Sequence, residues 1–367
     1  MNSGKSSTLR VLNALLPGVL LLLAVLILQE GTLAQGRGRS GRNSYDDSSR
    51  NRPEQRTPLS MSEAGLTGVP FRLVFESYRV TDGRENWEIC MVNADGSGLI
   101  NLTNTPDINE FYPHASPDGR RICFVADEGA DRYTMSRNAY FMNVDGSGRT
   151  KIAENIRQPC WNSDGTQIAY LKGEYSRYNS SSWSNRGLEV YDLESGQVTP
   201  HPNEEIGLIF NLCWSPDGQW FTATSRGRSM GSNIAFRSDS SIMTSLSIRG
   251  CRPDISPDGS RIAWGSTDYD LNVGNLDFDS RDSRVSNQEI VIACDRGFKV
   301  YHVDWSPDGR YLAFSYGSSR GNQAVGSRAD GWNICIYSFD TGKWTQVTTD
   351  GKHYKEPDWV AGSAPGF

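Results

Sequence analysis

The chain has 367 residues, and its 43 acidic side chains outnumber its 37 Lys and Arg to give a net charge of −6. A nucleic-acid-binding protein would be expected to carry a concentrated basic face, so we set that class aside. The length suits one large β domain with extensions, and ten Trp and fifteen Tyr supply the large rings that packed sheets use.

The N-terminal residues predict export. Lys5 and Arg10 precede an apolar run over residues 11–28, and Ala34 ends a segment of the small-residue type found at cleavage sites. Residues 1–34 are therefore predicted to be a cleaved secretory signal or, because the run approaches bilayer-spanning length, a retained membrane anchor. Both alternatives place the protein in the periplasm or at the cell surface, and the second tethers it to the cytoplasmic membrane.

Residues 35–65 are rich in Gly, Ser, Arg, Asn and Pro and contain few large apolar side chains. Such a stretch cannot bury enough surface to fold alone, and we predict that it is a flexible tether. The folded domain is then expected over residues 66–361, with a tail at 362–367.

One turn sequence recurs through this domain. Its fullest form is Trp305-Ser306-Pro307-Asp308-Gly309, in which Pro fixes φ near −65° and Gly accepts a positive φ. An apolar run follows each turn, as expected of a short strand covered on both faces. The equivalent turns lie about 40 to 55 residues apart, which is typical of propeller blades. They close at Gly119, Gly165, Gly218, Gly259 and Gly309.

A sixth unit is divided between the two ends of the domain. Residues 357–360 match the approach to the turn, and residues 71–75 match the strand that follows it. Asp-Gly and Ser-Gly pairs between the later apolar runs indicate further hairpins, and hence four strands per unit. The sequence therefore predicts an all-β, six-bladed β-propeller, closed by the C-terminal strand joining the first blade.

The repeated turn and the segment over residues 93–103 resemble the TolB-like propeller repeats, which are relatives of the Trp-Asp-repeat propellers. The resemblance covers residues 69–360 and implies the same six-bladed fold. TolB itself carries an α/β domain ahead of its propeller, which residues 35–65 are too few to supply. We therefore expect a propeller of this family without TolB's outer-membrane lipoprotein partnership. Its function does not follow from the fold, because propellers carry many activities.

Alignment of the units on their turns defines two rings, because the inner strands converge on the propeller axis. The first ring, expected at the channel mouth, offers mixed donors and acceptors to a peptide, glycan or cation: Tyr112, Gln158, Asn211, Arg252, His302 and Glu356. The second ring lies two residues later in each strand: His114, Cys160, Cys213, Asp254, Asp304 and Asp358. Its three aspartates suit a divalent cation. The alternative is that both rings hydrogen-bond neighbouring blades or water.

No catalytic set is evident. Residues 317–321 fit a hydrolase nucleophile pattern, but a polar loop follows where the pattern needs a helix. The four His do not share one repeat position, and the seven Cys show no zinc-ligand spacing. We predict no catalytic residue, metal-ligand set or cofactor, and leave catalysis open.

Two functions are compatible with these observations. The first is a non-enzymatic protein-binding or scaffold module of the cell envelope, binding an envelope or extracellular protein, peptide or glycan. It would use the channel mouth or a rim of long polar loops, at residues 127–138, 173–185, 271–285 and 317–330. The alternative is a carbohydrate-active or other small-ligand enzyme with its site in the central channel.

Overall fold

The computed structural model describes residues 52–129, 134–173, 185–226, 233–319, 331–350 and 352–362. Within them, twenty-four strands form six antiparallel sheets of four strands each, and one short helix, α1 (Met61–Ala64), precedes the first strand. The predicted six-bladed propeller with four strands per blade is confirmed. None of the described residues forms a helix long and apolar enough to cross a membrane.

The four strands of each blade follow one another from the axis outward and are numbered in chain order. Blade 1 contains β24 (His353–Val360), β1 (Arg72–Thr81), β2 (Arg84–Asn93) and β3 (Ile100–Asn101). Blade 2 contains β4 (Asn109–Ala115), β5 (Arg121–Glu128), β6 (Ser136–Asn143) and β7 (Thr150–Ala153). Blade 3 contains β8 (Ile156–Trp161), β9 (Gln167–Lys172), β10 (Leu188–Asp192) and β11 (Val198–Pro200).

The remaining blades repeat this order. Blade 4 contains β12 (Ile209–Trp214), β13 (Trp220–Ser225), β14 (Asn233–Arg237) and β15 (Met243–Ser245). Blade 5 contains β16 (Cys251–Ile255), β17 (Arg261–Gly265), β18 (Asp270–Asp277) and β19 (Arg284–Ala293). Blade 6 contains β20 (Phe298–Trp305), β21 (Tyr311–Ser318), β22 (Asn333–Ser338) and β23 (Lys343–Gln346).

The two ends of the domain meet in blade 1, as predicted. The last strand, β24, pairs with the first, β1, so that Leu73 lies opposite Trp359. Apolar side chains from blades 1 and 6 fill the space beside this joint, including Phe75 and Ile334, both fully buried. All seven cysteines are free, and five of them are buried.

The recurrent turn owes its geometry to its own side chains. In blade 6, Ser306 Oγ donates to Asp308 Oδ1 at 2.7 Å, and the backbone N–H of Arg310 donates to the same oxygen at 3.1 Å. Gly309 has a φ of 71°, which a residue without a Cβ adopts readily. These turns lie at one end of the disc, and we call the opposite end the mouth end.

Every inner strand also contains a β-bulge at one equivalent position, which the sequence did not predict. The pairing register shifts there, and a non-glycine residue has a φ between 47° and 59°. In four strands a proline comes next: Pro113, Pro159, Pro253 and Pro357. Proline suits these positions because it has no N–H, and a bulge leaves that position without a ladder hydrogen bond.

Residues 52–65 of the stretch predicted to be a flexible tether lie against the propeller. Ala64 is fully buried, and Leu59 and Met61 pack half-buried against the core between blades 1 and 6. Ser60 and Glu63 form a capping box at the start of α1. These apolar and capping side chains explain why residues 52–65 are ordered. The average composition of residues 35–65 is polar and did not reveal them. The predicted signal or anchor and the predicted tail beyond residue 362 lie outside the described residues.

Three of the four predicted long loops connect the second and third strands of a blade at the mouth end, although 130–133, 174–184 and 320–330 lie outside the described residues. The prediction of a loop at 271–285 is wrong. Those residues include most of β18 and the turn into β19. Leu271, Val273 and Leu276 are buried there, and the polar residues that alternate with them concealed the strand.

Candidate functional site

Both predicted rings lie at the propeller axis, around a cavity of ≈ 70 Å³. All six residues of the first ring line this cavity, and they are the same six residues that have positive φ at the bulges. Five residues of the second ring also line it, whereas the side chain of Cys160 is buried away from it. The first ring lies nearer the mouth end because it precedes the second in each strand.

The first ring contains an ion pair that crosses the channel. Arg252 Nη2 of blade 5 lies 3.2 Å from Glu356 Oε1 of blade 1, so the pair spans the width of blade 6. His302 of blade 6 places Nδ1 2.9 Å from the second oxygen of Glu356. Arg252 also lies over the Tyr301 ring, with Cζ 3.6 Å from its centroid, and donates from Nη1 to Asn211 Oδ1 at 3.3 Å.

The electrostatics of this group keep Glu356 ionised. Burial acts to raise the pKa of Glu356, but Arg252 and His302 together outweigh burial and lower that pKa to about 2. A buried charge is stable only when it is paired, and here the carboxylate has two partners. Glu356 is thus held by partners on two other blades, whereas Arg252 Nε and Asn211 Nδ2 have no hydrogen-bond partner among the described residues.

The bulges place backbone N–H groups of the first ring against the preceding blade. Tyr112 N–H donates to Glu76 Oε1 at 2.9 Å, and Arg252 N–H donates to Thr224 Oγ1 at 2.8 Å. The Asn211 N–H donates to the side-chain oxygen of Gln158 in the same way. Gln158 therefore links blade 3 to blade 4, which is a structural role.

The second ring forms a series of contacts from each blade to the next. Asp254 accepts from the backbone N–H of Trp305 at 2.8 Å, and Asp304 accepts from that of Trp359 at 3.2 Å. Asp358 accepts from the N–H of Ala115 at 2.7 Å. These three carboxylates join blades 5, 6, 1 and 2. This arrangement matches the alternative in which ring residues hydrogen-bond neighbouring blades.

The same carboxylates also repel one another. Burial, followed by the charges of Asp358 and Asp254, raises the pKa of Asp304 well above its ordinary value, and a hydrogen bond to Asp358 adds to the effect. Burial likewise raises the pKa of Asp254. Across the described ranges, no group of three or more His, Cys, Asp or Glu is arranged to hold a metal ion.

A cluster of aromatic side chains covers part of the mouth end beside blades 1 and 2. We call it the mouth patch, and it consists of Tyr78, Trp87, Phe111, Tyr112 and His353. Tyr78 lies 5.3 Å from Trp87 and 5.5 Å from His353 between ring centroids, and Trp87 lies 6.0 Å from Phe111. All except Trp87 are half-buried.

Cationic side chains flank the mouth patch. Lys355 Nζ lies 4.1 Å from the Trp87 ring centroid, and Arg157 Nη2 donates to the Tyr112 hydroxyl at 3.0 Å. Arg137 Cζ lies 4.7 Å from the Phe111 centroid. Lys355 and Arg137 are 3% and 8% accessible, so their cation–π contacts support the aromatic rings from below the surface.

Comparison with known proteins identifies the fold. No protein-family model matches the chain. TolB from Acinetobacter baumannii superimposes with a TM-score of 0.59 at 16% identity, over 82% of this chain and 70% of that chain. The chain has the TolB-like propeller fold. The putative TolB from Agrobacterium tumefaciens matches with a TM-score of 0.53 at 15% identity, over 81% and 99% of the two chains.

The chain also has a relative among curated sequences. It is 25% identical over 343 residues to Dipeptidyl-peptidase 5 of Porphyromonas gingivalis. The match covers 80% of this chain and 48% of that protein, so the chain spans about half the length of its relative.

The residues of the two predicted rings meet at the axis, as expected for equivalent positions of aligned repeats. Apart from Tyr112, which belongs to the predicted first ring, the mouth patch was missed because its members come from different strands of two blades. One available signal was that Tyr78 and Trp87 flank the turn between β1 and β2, which places them at the mouth end. The chance match to a nucleophile pattern at residues 317–321 begins at the end of β21 and runs outside the described residues at 320–321; within it, Ser319 Oγ donates to the Arg296 carbonyl at 3.1 Å.

Proposed function

We propose that the chain is an exported, non-enzymatic protein-binding or scaffold module that contacts its partner through the mouth patch. The location follows from the predicted N-terminal signal or anchor, and the partner would be a protein of the periplasm or cell envelope. Two locations are available for the binding surface, the cavity at the axis and the surface of the mouth end. They differ in how much space they offer a partner.

The observation that carries this proposal is that the cavity at the axis is small and is crossed by a buried ion pair. A cavity of ≈ 70 Å³ accommodates a few water molecules, whereas small-molecule pockets typically have volumes of about 300–1,000 Å³. Arg252 and Glu356 cross this space and pair with each other. A sugar or peptide would have to break that buried ion pair to enter, which argues against an enzyme site in the channel.

The mouth end offers a broad surface instead. Beyond the mouth patch it exposes Val80, Leu208 and Phe298, which are 68%, 44% and 36% accessible. Aromatic side chains such as Phe298 and those of the mouth patch are enriched where proteins bind proteins. A chain from the Nidogen/Laminin complex, which is an assembly of proteins, has a related shape. It superimposes with a TM-score of 0.54 at 9% identity over 80% of this chain and all of that chain.

The proposal is tested by affinity capture from the native cell envelope with the full chain as bait. The Tyr78→Ala/Phe111→Ala variant removes two rings of the mouth patch, and we expect it to lose at least about tenfold of the captured partner. Val198→Ala is the control, because Val198 is an apolar side chain, 43% accessible, that lies on the outer strand β11 of blade 3. Equal capture by all three proteins would exclude the mouth patch as the binding surface.

A second candidate function rests on the similarity to Dipeptidyl-peptidase 5, which supports action on peptides. This candidate is tested by incubating the full chain with chromogenic dipeptide substrates. A parallel assay with oligosaccharides tests the carbohydrate-active alternative. Our proposal predicts no turnover above buffer in either assay. Turnover that Arg252→Met and His302→Gln both abolish would establish an enzyme with its site at the axis.

A further inference from the structure

Residues 52–66, which we call the strap, run along the outside of the propeller before entering β1. The strap begins beside blade 5, where Arg52 Nη2 lies 2.6 Å from Asp270 Oδ2. Arg56 Nη1 then donates to the Ala293 carbonyl at the end of β19, at 3.3 Å. The carboxylate of Asp270 is 5% accessible, so the first of these contacts is largely shielded from water.

The strap next pairs with the outer edge of blade 6. The side-chain amide of Gln55 donates to the Trp344 carbonyl at 2.7 Å and accepts from the Trp344 N–H at 3.0 Å. Leu59 N–H donates to the same carbonyl at 3.2 Å, and Thr345 Oγ1 donates to the Leu59 carbonyl at 2.6 Å. These contacts cover backbone groups of β23 that an outermost strand would otherwise expose.

The end of the strap enters the core between blades 6 and 1. Ala64 and Leu66 are 0% and 1% accessible, and they belong to the same apolar cluster as Leu73 of β1 and Trp359 of β24. Thr341 Oγ1 of blade 6 donates to the Ala64 carbonyl at 3.0 Å. The strap therefore reaches the joint at which the ring closes.

The position of the strap is important because the two strands at this joint, β24 and β1, come from opposite ends of the domain. Within blade 1, β24 and β1 are held together by hydrogen bonds and packing and are not consecutive in the chain. The strap is continuous with β1 and binds blade 6 directly. It thus provides a second attachment of β1 to the last blade, made from the outside of the disc rather than from the axis.

We infer that the strap is a second closure of the ring, which holds the joint between β24 and β1 shut. It works as part of the propeller, so residues 52–65 do not form the predicted flexible tether. Displacement of the strap is expected to loosen this joint selectively, because the contacts described above attach it to blades 5, 6 and 1. The strap is therefore a conformational device that can release one joint of the propeller.

Hydrogen exchange of the full chain, read by mass spectrometry, tests this inference. Gln55→Ala removes the two hydrogen bonds that the Gln55 side chain makes to Trp344, and we expect exchange in β1 and β24 to rise about tenfold while β9 and β13 stay unchanged. Gln167→Ala is the matched control. It removes a part-buried hydrogen bond of another Gln amide, to Asp192 Oδ2 at 3.4 Å in blade 3, and should leave β1 and β24 unaffected.

Leu66→Ala provides an independent measurement, because it empties a buried position without touching β24. We expect the midpoint of thermal unfolding to fall by about 4 °C or more. If this variant does not fold, the milder Gln55→Ala variant still decides the question. Exchange that is unchanged in Gln55→Ala, or raised equally in all blades, would overturn the inference, because neither result singles out the closing joint.

Discussion

Asp304 of blade 6 accepts a hydrogen bond from the backbone N–H of Trp359 in β24, 3.2 Å away, and Trp359 Nε1 donates in turn to the Asp304 carbonyl at 3.1 Å. The C-terminal strand is thus attached to the preceding blade by two hydrogen bonds, both donated by Trp359 and accepted by Asp304. The same carboxylate occupies a ring that sequence alignment offered as a ligand site. Its contacts indicate that its main role is to join blades.

We predict that Asp304→Ala lowers the free energy of unfolding by about 1–3 kcal/mol, because it leaves the Trp359 N–H unpaired. Asp304→Asn keeps an oxygen acceptor and should be affected less. Urea denaturation measures both. Asp239→Ala is the control, because that carboxylate pairs with Arg237 on the surface, and its loss should change stability little. Equal stability of the Asp304→Ala variant and the wild type would contradict a joining role.

The Glu76 carboxyl predicts a pH dependence. Burial raises the pKa of Glu76 from 4.5 to about 7, against the opposing charge of Lys355. The folded state therefore binds this proton more tightly than the unfolded state. The resulting stabilisation is complete below pH 4.5 and is lost as the pH rises through about 7.

Glu76→Gln removes this titration while keeping an acceptor for the Tyr112 N–H. We expect the stability of the wild type relative to Glu76→Gln to fall between about pH 5 and pH 8, measured by urea denaturation at each pH. The difference between the two proteins isolates Glu76 from Glu110, whose pKa burial also raises to about 7. A constant difference across this range would contradict the prediction.

The Arg252–Glu356 ion pair at the axis predicts that substitutions of its two residues have non-additive effects on the free energy of unfolding. Arg252→Met leaves Glu356 charged, buried and paired only with His302, and we expect it to cost about 3–5 kcal/mol of unfolding free energy. Adding Glu356→Gln removes that charge, so the double variant should be more stable than the single one. Denaturation of the wild type and both variants at neutral pH provides the comparison. A double variant less stable than Arg252→Met would contradict a coupled pair.

Alanine substitutions at two glycines distinguish the cost of backbone strain from the cost of a steric clash. Gly146 has a φ of 86°, and a Cβ there would lie 2.5 Å from the Leu102 carbonyl oxygen of blade 1. Gly342 has a φ of 65°, and a Cβ there would meet nothing within 4 Å. Gly342→Ala should cost about 1–2 kcal/mol, because an L residue resists the left-handed conformation, whereas Gly146→Ala adds a conflict between blades and should cost several-fold more. Similar losses in thermal stability would show that blades 1 and 2 do not pack this closely.

The sequence predicted the blade number and the closure because both depend on a turn whose chemistry repeats. Alignment on that turn also brought His302 and Glu356 to one ring. The alignment could not predict the contacts of His302 and Glu356, because a β-bulge changes the direction of both side chains. No sequence signal in a single non-glycine residue indicates a positive φ. The prolines that follow four of the bulges were the available signal. The strap was missed because the polar composition of residues 35–65 concealed Ala64 and its neighbours.

The central claim is that a protein partner binds the mouth end and that the axis is a structural core. The most direct measurement is the affinity of the captured partner for two variants compared with the wild type. We predict that Tyr78→Ala/Phe111→Ala weakens binding at least about tenfold, whereas Arg252→Met/Glu356→Gln binds within about twofold of the wild type, since its paired side chains face each other. Loss of binding in the axial variant with retention in the mouth-patch variant would contradict the claim.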